Sequence, residues 1–226
     1  MNTYSILIPI HNEIRYIGPL LEELKCFSLI GHEVIIIDDG SDDGSEKALT
    51  GQEGIVLISL PKNIGKGYAL KEGLTKASND KIIVYDGDME LSPMAISKLM
   101  LLNSNSGKKF ILGYRFKSLN PLKSNFDWGN FMFTSFFNII FKSNHKDILC
   151  CAKAFYLSDL KNCNLSSSGF DIDVELSSIL TIHNKNTKID QVFLEYNRRS
   201  VKDGKKLKVS DGWKILFKII KMARYL

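Results

Sequence analysis

Three carboxylates on alternate positions follow an apolar run in VYDGDMEL (Val84 to Leu91): Asp86, Asp88 and Glu90, with Gly87 between the first two. Hard carboxylate oxygens in this spacing suit Mg2+ or Mn2+, ions that keep water ligands and are completed by phosphate oxygens. A metal held there would neutralise charge on a leaving diphosphate. The same residues also fit an ordinary acidic turn after a strand, and a second DxD occurs at DID, Asp171 to Asp173. Two further polar clusters follow apolar runs in the same way, PIHNE (9–13) and DDGSDDGS (38–45). In NIGKGYALKEG (63–73), Gly65 and Gly67 would let a helix N-terminus approach a diphosphate, or serve as a turn before a helix. The GxxxxGK[ST] spacing is absent, which disfavours a Walker-type nucleotide triphosphatase.

These clusters need elements that bring them together. YSILIPI (4–10), HEVIIID (32–38), IVLISL (55–60), KIIVYD (81–86) and KKFILGY (108–114) read as buried strands without polar alternation. Between them, IGPLLEELKCFSLI, GKGYALKEGLTKA and PMAISKLMLLN carry helical spacing, with Ser41 or Asp42 as N-cap of a short helix after the second strand. Strand and helix alternate, so the expectation is an α/β fold with a mostly parallel, Rossmann-like sheet flanked by helices. In such a sheet ligands sit beyond the carboxyl ends of the strands, where PIHNE, DDGSDDGS and DGDME would converge. After Arg115 the pattern changes. FDWGNFMFTSFFNIIF (126–141) is crowded with aromatics, DILCCAKAFYL reads as strand leading into helix, GFDIDVELSSILTIH as helix and TKIDQVFLEY as strand.

At 226 residues, with 44% hydrophobic and 24% charged residues, the chain is globular, and one domain is expected. The four cysteines form no CxxC pair and fit reduced thiols in a cytosolic protein. The opening MNTYSILIPI has no basic region and reads as no signal peptide, and no apolar stretch approaches a bilayer span. The formal charge of +5 is concentrated late, in Arg198, Arg199, Lys202, Lys205, Lys206, Lys208 and the lysines beyond. That basic end calls for an anionic partner: phosphate, lipid headgroup or nucleic acid. The tail DGWKILFKIIKMARYL is amphipathic, with Lys214, Lys218 and Lys221 on one helical face. It fits an interfacial helix on an anionic leaflet, or a core helix with snorkelling lysines. The aromatic segment 126–141 fits a second lipid-facing helix or plain core packing.

The set ILIPIHNE, VIIIDDGSDDGS, NIGKGYALKEG and VYDGDMEL resembles the inverting glycosyltransferases of family 2, which have the GT-A fold; the likeness runs over roughly residues 4–115. DILCCAKAFYLSDL, GFDIDVEL and RRSVKDGKKLKVSDGWKIL resemble, more loosely, the polyprenyl-phosphate sugar synthases, the group that includes dolichyl-phosphate mannose synthase. Glu90 stands where the usual DxDxQ has Gln. The resemblance divides the single domain into a nucleotide-sugar half (1–115), an acceptor half (116–208) and an amphipathic C-terminal helix (209–226). It implies metal ligands Asp86, Asp88 and Glu90, with Mg2+ or Mn2+ as cofactor. It implies donor contacts from Pro9, His11, Glu13, Asp38, Asp39, Lys66, Asp86 and Gly87, with Asp38 supporting its loop. Arg115, and from the C-terminal side Arg199 or its neighbour Arg198 with Lys206, would hold the acceptor phosphate or the donor diphosphate, and the catalytic set is Asp88, Arg115 and Asp171.

An arginine fork suits phosphate on its own chemistry. A phosphate acceptor is already anionic and needs cations, whereas a hydroxyl acceptor needs a carboxylate base. Asp171, Asp173 and Glu175 are the candidate bases, Asp173 and Glu175 also fitting favourable acids at a helix N-terminus. The expected activity is metal-dependent transfer of a sugar from a GDP- or UDP-sugar to polyprenyl phosphate. The protein would act in the cytoplasm, peripheral to the cytoplasmic membrane face. The alternative acceptor is a hydroxyl of a glycan or lipid precursor. A nucleic-acid-binding reading leaves the three acidic loops unexplained. A nucleotidyltransferase would place its glycine-rich loop after the first strand, where PIHNE stands.

Overall fold

A computed structural model describes residues 3–117, 124–185, 187, 189–199 and 211–226. In chain order the elements are β1 (Ser5–Ile10), α1 (Ile14–Leu29), β2 (Glu33–Asp38), α2 (Ser45–Leu49), β3 (Val56–Ser59), α3 (Lys66–Lys76) and β4 (Lys81–Val84), then β5 (Phe110–Tyr114), α4 (Asn125–Phe141), β6 (Lys153–Tyr156), α5 (Ile172–His183), β7 (Asp190–Phe193) and α6 (Asp211–Met222). One sheet of order β3-β2-β1-β4-β6-β5-β7 runs through the molecule, and β6 alone runs against its neighbours. The expected mostly parallel α/β sheet is therefore what forms. Every residue of β1 is buried, as a strand covered by helices on both faces requires.

Register fixes where the chemistry goes. β1 pairs with β2 from Ser5↔Glu33 to Ile10↔Asp38, and with β4 up to Leu7↔Val84. The loops carrying Glu13, Asp39 and Asp88 thus leave the sheet on one side, at the carboxyl ends of three adjacent parallel strands. Two cores flank the sheet. Ile6, Ile8, Ile36 and Ile83 face α1, while Leu7, Ile35, Leu112 and Phe155 face α3, α5 and α6.

Several local expectations are corrected. PMAISKLMLLN forms a 3-10 turn over Pro93–Leu99 and no α-helix. Its buried residues Pro93, Ile96 and Leu99 recur every three positions, the period of the tighter helix. After β6 the chain likewise makes a 3-10 turn, Leu157–Leu160. The N-cap of α2 is Gly44, at φ 95°, and not Ser41 or Asp42. On α6, Lys218 does not share the exposed face of Lys214 and Lys221; it is buried beside Ile215, Ile219 and Met222. Among the described residues no helix is long and apolar enough to cross a membrane.

Candidate active site

The loops after β1 and β2 are stitched to each other by main-chain donors. Asn12, held at φ 52°, gives its N–H to Ser41 Oγ at 2.8 Å; Glu13 N–H goes to Ser45 Oγ at 3.0 Å and Ile14 N–H to Asp43 at 2.9 Å. Asp38 is buried, which pushes its carboxyl up, and it accepts from the main chain and hydroxyl of Ser41. Asp39 accepts from Ile64 N–H at 2.9 Å and Gly65 N–H at 2.8 Å, pinning the glycine loop in front of α3. Gly65 is required there: at φ 122°, any Cβ would lie 2.4 Å from the Ser168 carbonyl oxygen.

Lys66, at the start of α3, points into the site and pairs with Asp86 at 2.7 Å and Asp173 at 2.9 Å. Burial opposes its charge, yet Asp173 and Asp86 keep it protonated well above the usual lysine range. The DGD turn beyond β4 is set by Met89 at φ 59° and by Glu90 N–H donating to Asp88 Oδ1 at 3.0 Å. Gly87 lies against the methyls of Ile10 and Ile8, leaving no room for a side chain. Burial, with Asp86 and Glu90 nearby, pushes the Asp88 carboxyl up to about 6, while Arg199 draws it down.

Arg199 spans this acidic cluster. Its guanidinium donates to Glu13 at 2.7 and 3.2 Å and to Asp88 at 3.2 Å, and lies over the Tyr16 ring. Glu90 faces the same segment: its carboxylate accepts from Tyr196 Oη at 2.9 Å and Arg199 N–H at 2.8 Å. Arg115 makes a bidentate pair with fully buried Asp147, at 2.7 and 3.0 Å, and stacks on Tyr196 and Phe116. Asn130 donates to the same carboxylate at 2.9 Å.

A cleft of ≈ 520 Å³ gathers Pro9, His11, Glu13, Asp39, Lys66, Asp86, Gly87, Asp88, Glu90, Arg115 and Arg199. Three expected residues do not line it. Asp38 supports the loop beneath. Arg198 turns outward to pair with Asp127 at 2.5 Å. Asp171, expected to be catalytic, accepts from Ser167 Oγ at 2.6 Å and faces Lys218 at 3.6 Å. Lys206 lies outside the described residues. Asp173 is the acid of DID that lines the cleft, together with Tyr196, Asn63 and the apolar Leu149, Phe170 and Ile215. No local motif marks Tyr196, whose carboxylate partner is 106 residues away.

Asp86 and Asp88 present hard oxygens to one cleft, and the Asp88 carboxyl is raised first by burial and then by the neighbouring Asp86 and Glu90, so a cation there would favour its charged form. They fit a divalent ion completed by water and phosphate. Glu90 fits less well, because both its oxygens hold the 196–199 segment. Among the described residues, no three His, Cys, Asp or Glu side chains form a closed metal cage.

The family model described as glycosyl transferase family 2 matches residues 5–161. The chain is 28% identical over 120 residues to the dodecaprenyl-phosphate galacturonate synthase of Rhizobium johnstonii, covering 49% of this chain and 35% of that protein. It is 32% identical over 104 residues to the undecaprenyl-phosphate 4-deoxy-4-formamido-L-arabinose transferase of Yersinia enterocolitica, covering 42% of this chain and 32% of that one. The chain thus matches about a third of the length of these relatives. Among solved structures, glucosyl-3-phosphoglycerate synthase from Mycobacterium tuberculosis, in complex with Mn2+, UDP-glucose and phosphoglyceric acid, superposes with TM-score 0.77 at 16% identity, over 98% of this chain and 80% of that one. At that identity the likeness shows the fold, the GT-A arrangement.

Proposed function

The chain belongs to glycosyl transferase family 2, and from that premise we propose that it moves a sugar, with inversion, from a nucleotide-diphosphate donor to polyprenyl phosphate. The observation that carries the choice of acceptor is the state of the three acids of DIDVE. A hydroxyl acceptor needs a base in the cleft. Asp173 lines the cleft but is clamped by Lys66 and Lys153; burial alone would raise its carboxyl, and the two lysines draw it below the ordinary range. Asp171 is turned to Lys218, and Glu175 is buried, accepting from Ser166 and Ser167. An acceptor that is already anionic needs none of them. It needs cations, and Arg115 and Arg199 face the same cleft. The apolar lining from Leu149, Phe170 and Ile215 suits the first isoprene units of a lipid acceptor. The printed names of the matched relatives, a dodecaprenyl-phosphate synthase and an undecaprenyl-phosphate transferase, support the same acceptor class.

In this reading Glu13, Asp39 and His11 surround the nucleoside, with Pro9 beneath it. Asp86 and Asp88 would hold Mg2+ or Mn2+, which when bound would supply charge neutralisation for a leaving diphosphate. Lys66 keeps Asp86 in place and meets the donor from the glycine loop. Arg115, fixed by Asp147, and Arg199 orient the acceptor phosphate for attack.

Peripheral contact with the cytoplasmic membrane face belongs to the same proposal. Trp128, Phe131 and Ile139 of α4 and Trp213, Phe217 and Ile220 of α6 are exposed. The two helices adjoin, a Cβ on Gly212 lying 3.3 Å from the Phe133 ring. Exposed Lys214, Lys221 and Arg224 flank the α6 aromatics, the combination that seats a helix on an anionic leaflet.

The test is nucleoside diphosphate release from a panel of GDP- and UDP-sugars with Mn2+, short-chain polyprenyl phosphate and lipid vesicles. Turnover that EDTA stops and Asp88→Asn lowers about 100-fold or more is expected. Absence of release from every donor would contradict the proposal.

A further inference from the structure

Lys218 is a buried lysine on a helix whose opposite face is exposed. Its Nζ donates to Ser166 Oγ at 2.9 Å and pairs with Glu175 at 3.2 Å and Asp171 at 3.6 Å. Hydrophobic packing alone would have placed an apolar residue between Ile215 and Ile219, since burying an ammonium is costly unless its partners are excellent. Those partners do more than neutralise it. Glu175 accepts from Ser166 N–H at 3.0 Å and Ser167 N–H at 2.7 Å, and Asp171 accepts from Ser167 Oγ at 2.6 Å. They fix the strand of loop just before Ser168. The Ser168 carbonyl in turn accepts from Gly67 N–H at 2.8 Å, one of the first-turn donors of α3 that has no partner within the helix, and at 3.3 Å from Tyr68 N–H, which also donates to the Gly65 carbonyl at 2.9 Å. Gly65 and Gly67 have no Cβ because this loop lies against them, at 2.4 and 2.7 Å from where one would be. Lys66 stands between the two glycines and reaches Asp86.

We propose that Lys218 is a positioning residue through which α6 seats the 166–168 loop, and through it the Gly65–Tyr68 turn that aims Lys66 at Asp86. This deepens the donor-site reading above and rests on it for the identity of the ligand, though not for the contacts. α6 then has two jobs on its two faces. Outward it offers Trp213, Phe217 and Ile220 to a surface; inward it sets the geometry of a loop that the donor diphosphate would meet.

The experiment measures amide exchange at Gly67 and Tyr68, and affinity for UDP and GDP with Mn2+. It uses the full chain and its Lys218→Met, Lys218→Arg and Lys218→Met/Glu175→Gln variants. Lys218→Met is expected to speed exchange at both amides about tenfold and weaken the bound nucleotide about tenfold, with β1 amides unchanged. Lys218→Arg restores both. The double variant removes the uncompensated buried carboxylate, so it regains thermal stability but keeps the fast exchange and weak binding. A purely structural lysine predicts otherwise: exchange at Gly67 and Tyr68 like wild type, or nucleotide affinity returning with stability in the double variant. Either result overturns the inference. Failure of wild type to bind either nucleotide overturns the donor reading instead, and the exchange comparison still judges Lys218.

Discussion

The acidic side of the cleft and its cationic side are built by different means. Asp38 closes β2 beneath the cleft, Asp39 and Asp88 come from the loops after β2 and β4, and all three accept from main-chain donors: Ser41 N–H, Ile64 and Gly65 N–H, and Glu90 N–H. The cations from the later part of the chain are held by other side chains: Arg115 by Asp147, Arg198 by Asp127, Arg199 by Glu13 and Asp88. A carboxylate fixed by backbone keeps its place whatever binds. A guanidinium fixed by a carboxylate has a partner that phosphate or a metal ion competes for. The backbone-held acids are thus the rigid part of the floor, while Glu13, Asp86 and Asp173 lean on Arg199, Lys66 and Lys153. Arg199, spanning Glu13 and Asp88, is the cation a metal-bound diphosphate would have to share or displace.

The comparison breaks most visibly at Arg115. Arg115→Met leaves Asp147 fully buried without its cation, and urea unfolding should show a loss of about 4 kcal/mol. A loss below about 1 kcal/mol would mean that Asn130 and the main chain hold Asp147 unaided.

Behind the same cationic side lies His145, which titrates the fold. Thr181 Oγ1 donates to the Ser177 carbonyl, so His145 Nε2 is the donor in its 2.8 Å contact with Thr181. Burial, and then Lys153, hold the imidazole down at about 4 against an ordinary 6.5. The unfolded chain therefore takes up this proton below pH 6.5 while the folded chain does not until about pH 4. Stability should fall by about 3 kcal/mol as pH drops through that window, and level off below it as far as this group is concerned. Urea midpoints across the window should show the fall, and His145→Gln should remove that part of the slope; equal slopes would refute it.

On the acidic side, Gly67→Ala puts a methyl 2.7 Å from the Ser167 carbonyl oxygen. A cost of about 2 kcal/mol is expected in the same unfolding assay. The smallest effect on folding belongs to the exposed aromatics. Trp213→Ser with Phe217→Ser should change stability by less than about 0.5 kcal/mol, yet weaken sedimentation with anionic vesicles about tenfold or more.

This asymmetry also explains what the sequence made legible. Strands β1 to β5 and the floor of the cleft were readable because each acid sits at or just past the end of an apolar run. Asp38 and Asp88 take their main-chain donors from two or three residues away, although Asp39 is pinned by Ile64 and Gly65, 25 and 26 residues on. The cationic side was not, because its pairings have no fixed spacing: Arg115 with Asp147 is 32 residues apart, Arg198 with Asp127 is 71, and Arg199 with Glu13 is 186. Arg198 and Arg199 are adjacent and chemically identical, yet one turns to α4 and the other into the cleft. Asp171 and Asp173 differ by two residues at the start of α5, and only the docking of that helix decides which faces Lys66. Lys218 read as part of a polar face because its acidic partners were invisible in a helical projection. The spacing that marks Glu90 as a metal ligand does not reveal that Tyr196 and the Arg199 main chain each donate to one of its oxygens.

The most direct measurement compares two acceptors that differ only in the phosphate. A labelled nucleotide sugar identified by the donor panel would be incubated with Mn2+ and either short-chain polyprenyl phosphate or the free polyprenol. Label recovered in the organic phase would be measured for wild type and Asp88→Asn. The account predicts transfer to the phosphate only, lost about 100-fold or more in Asp88→Asn. Equal transfer to the free alcohol would contradict it, because none of the acids of DIDVE would then be as occupied as their ion pairs and hydrogen bonds imply.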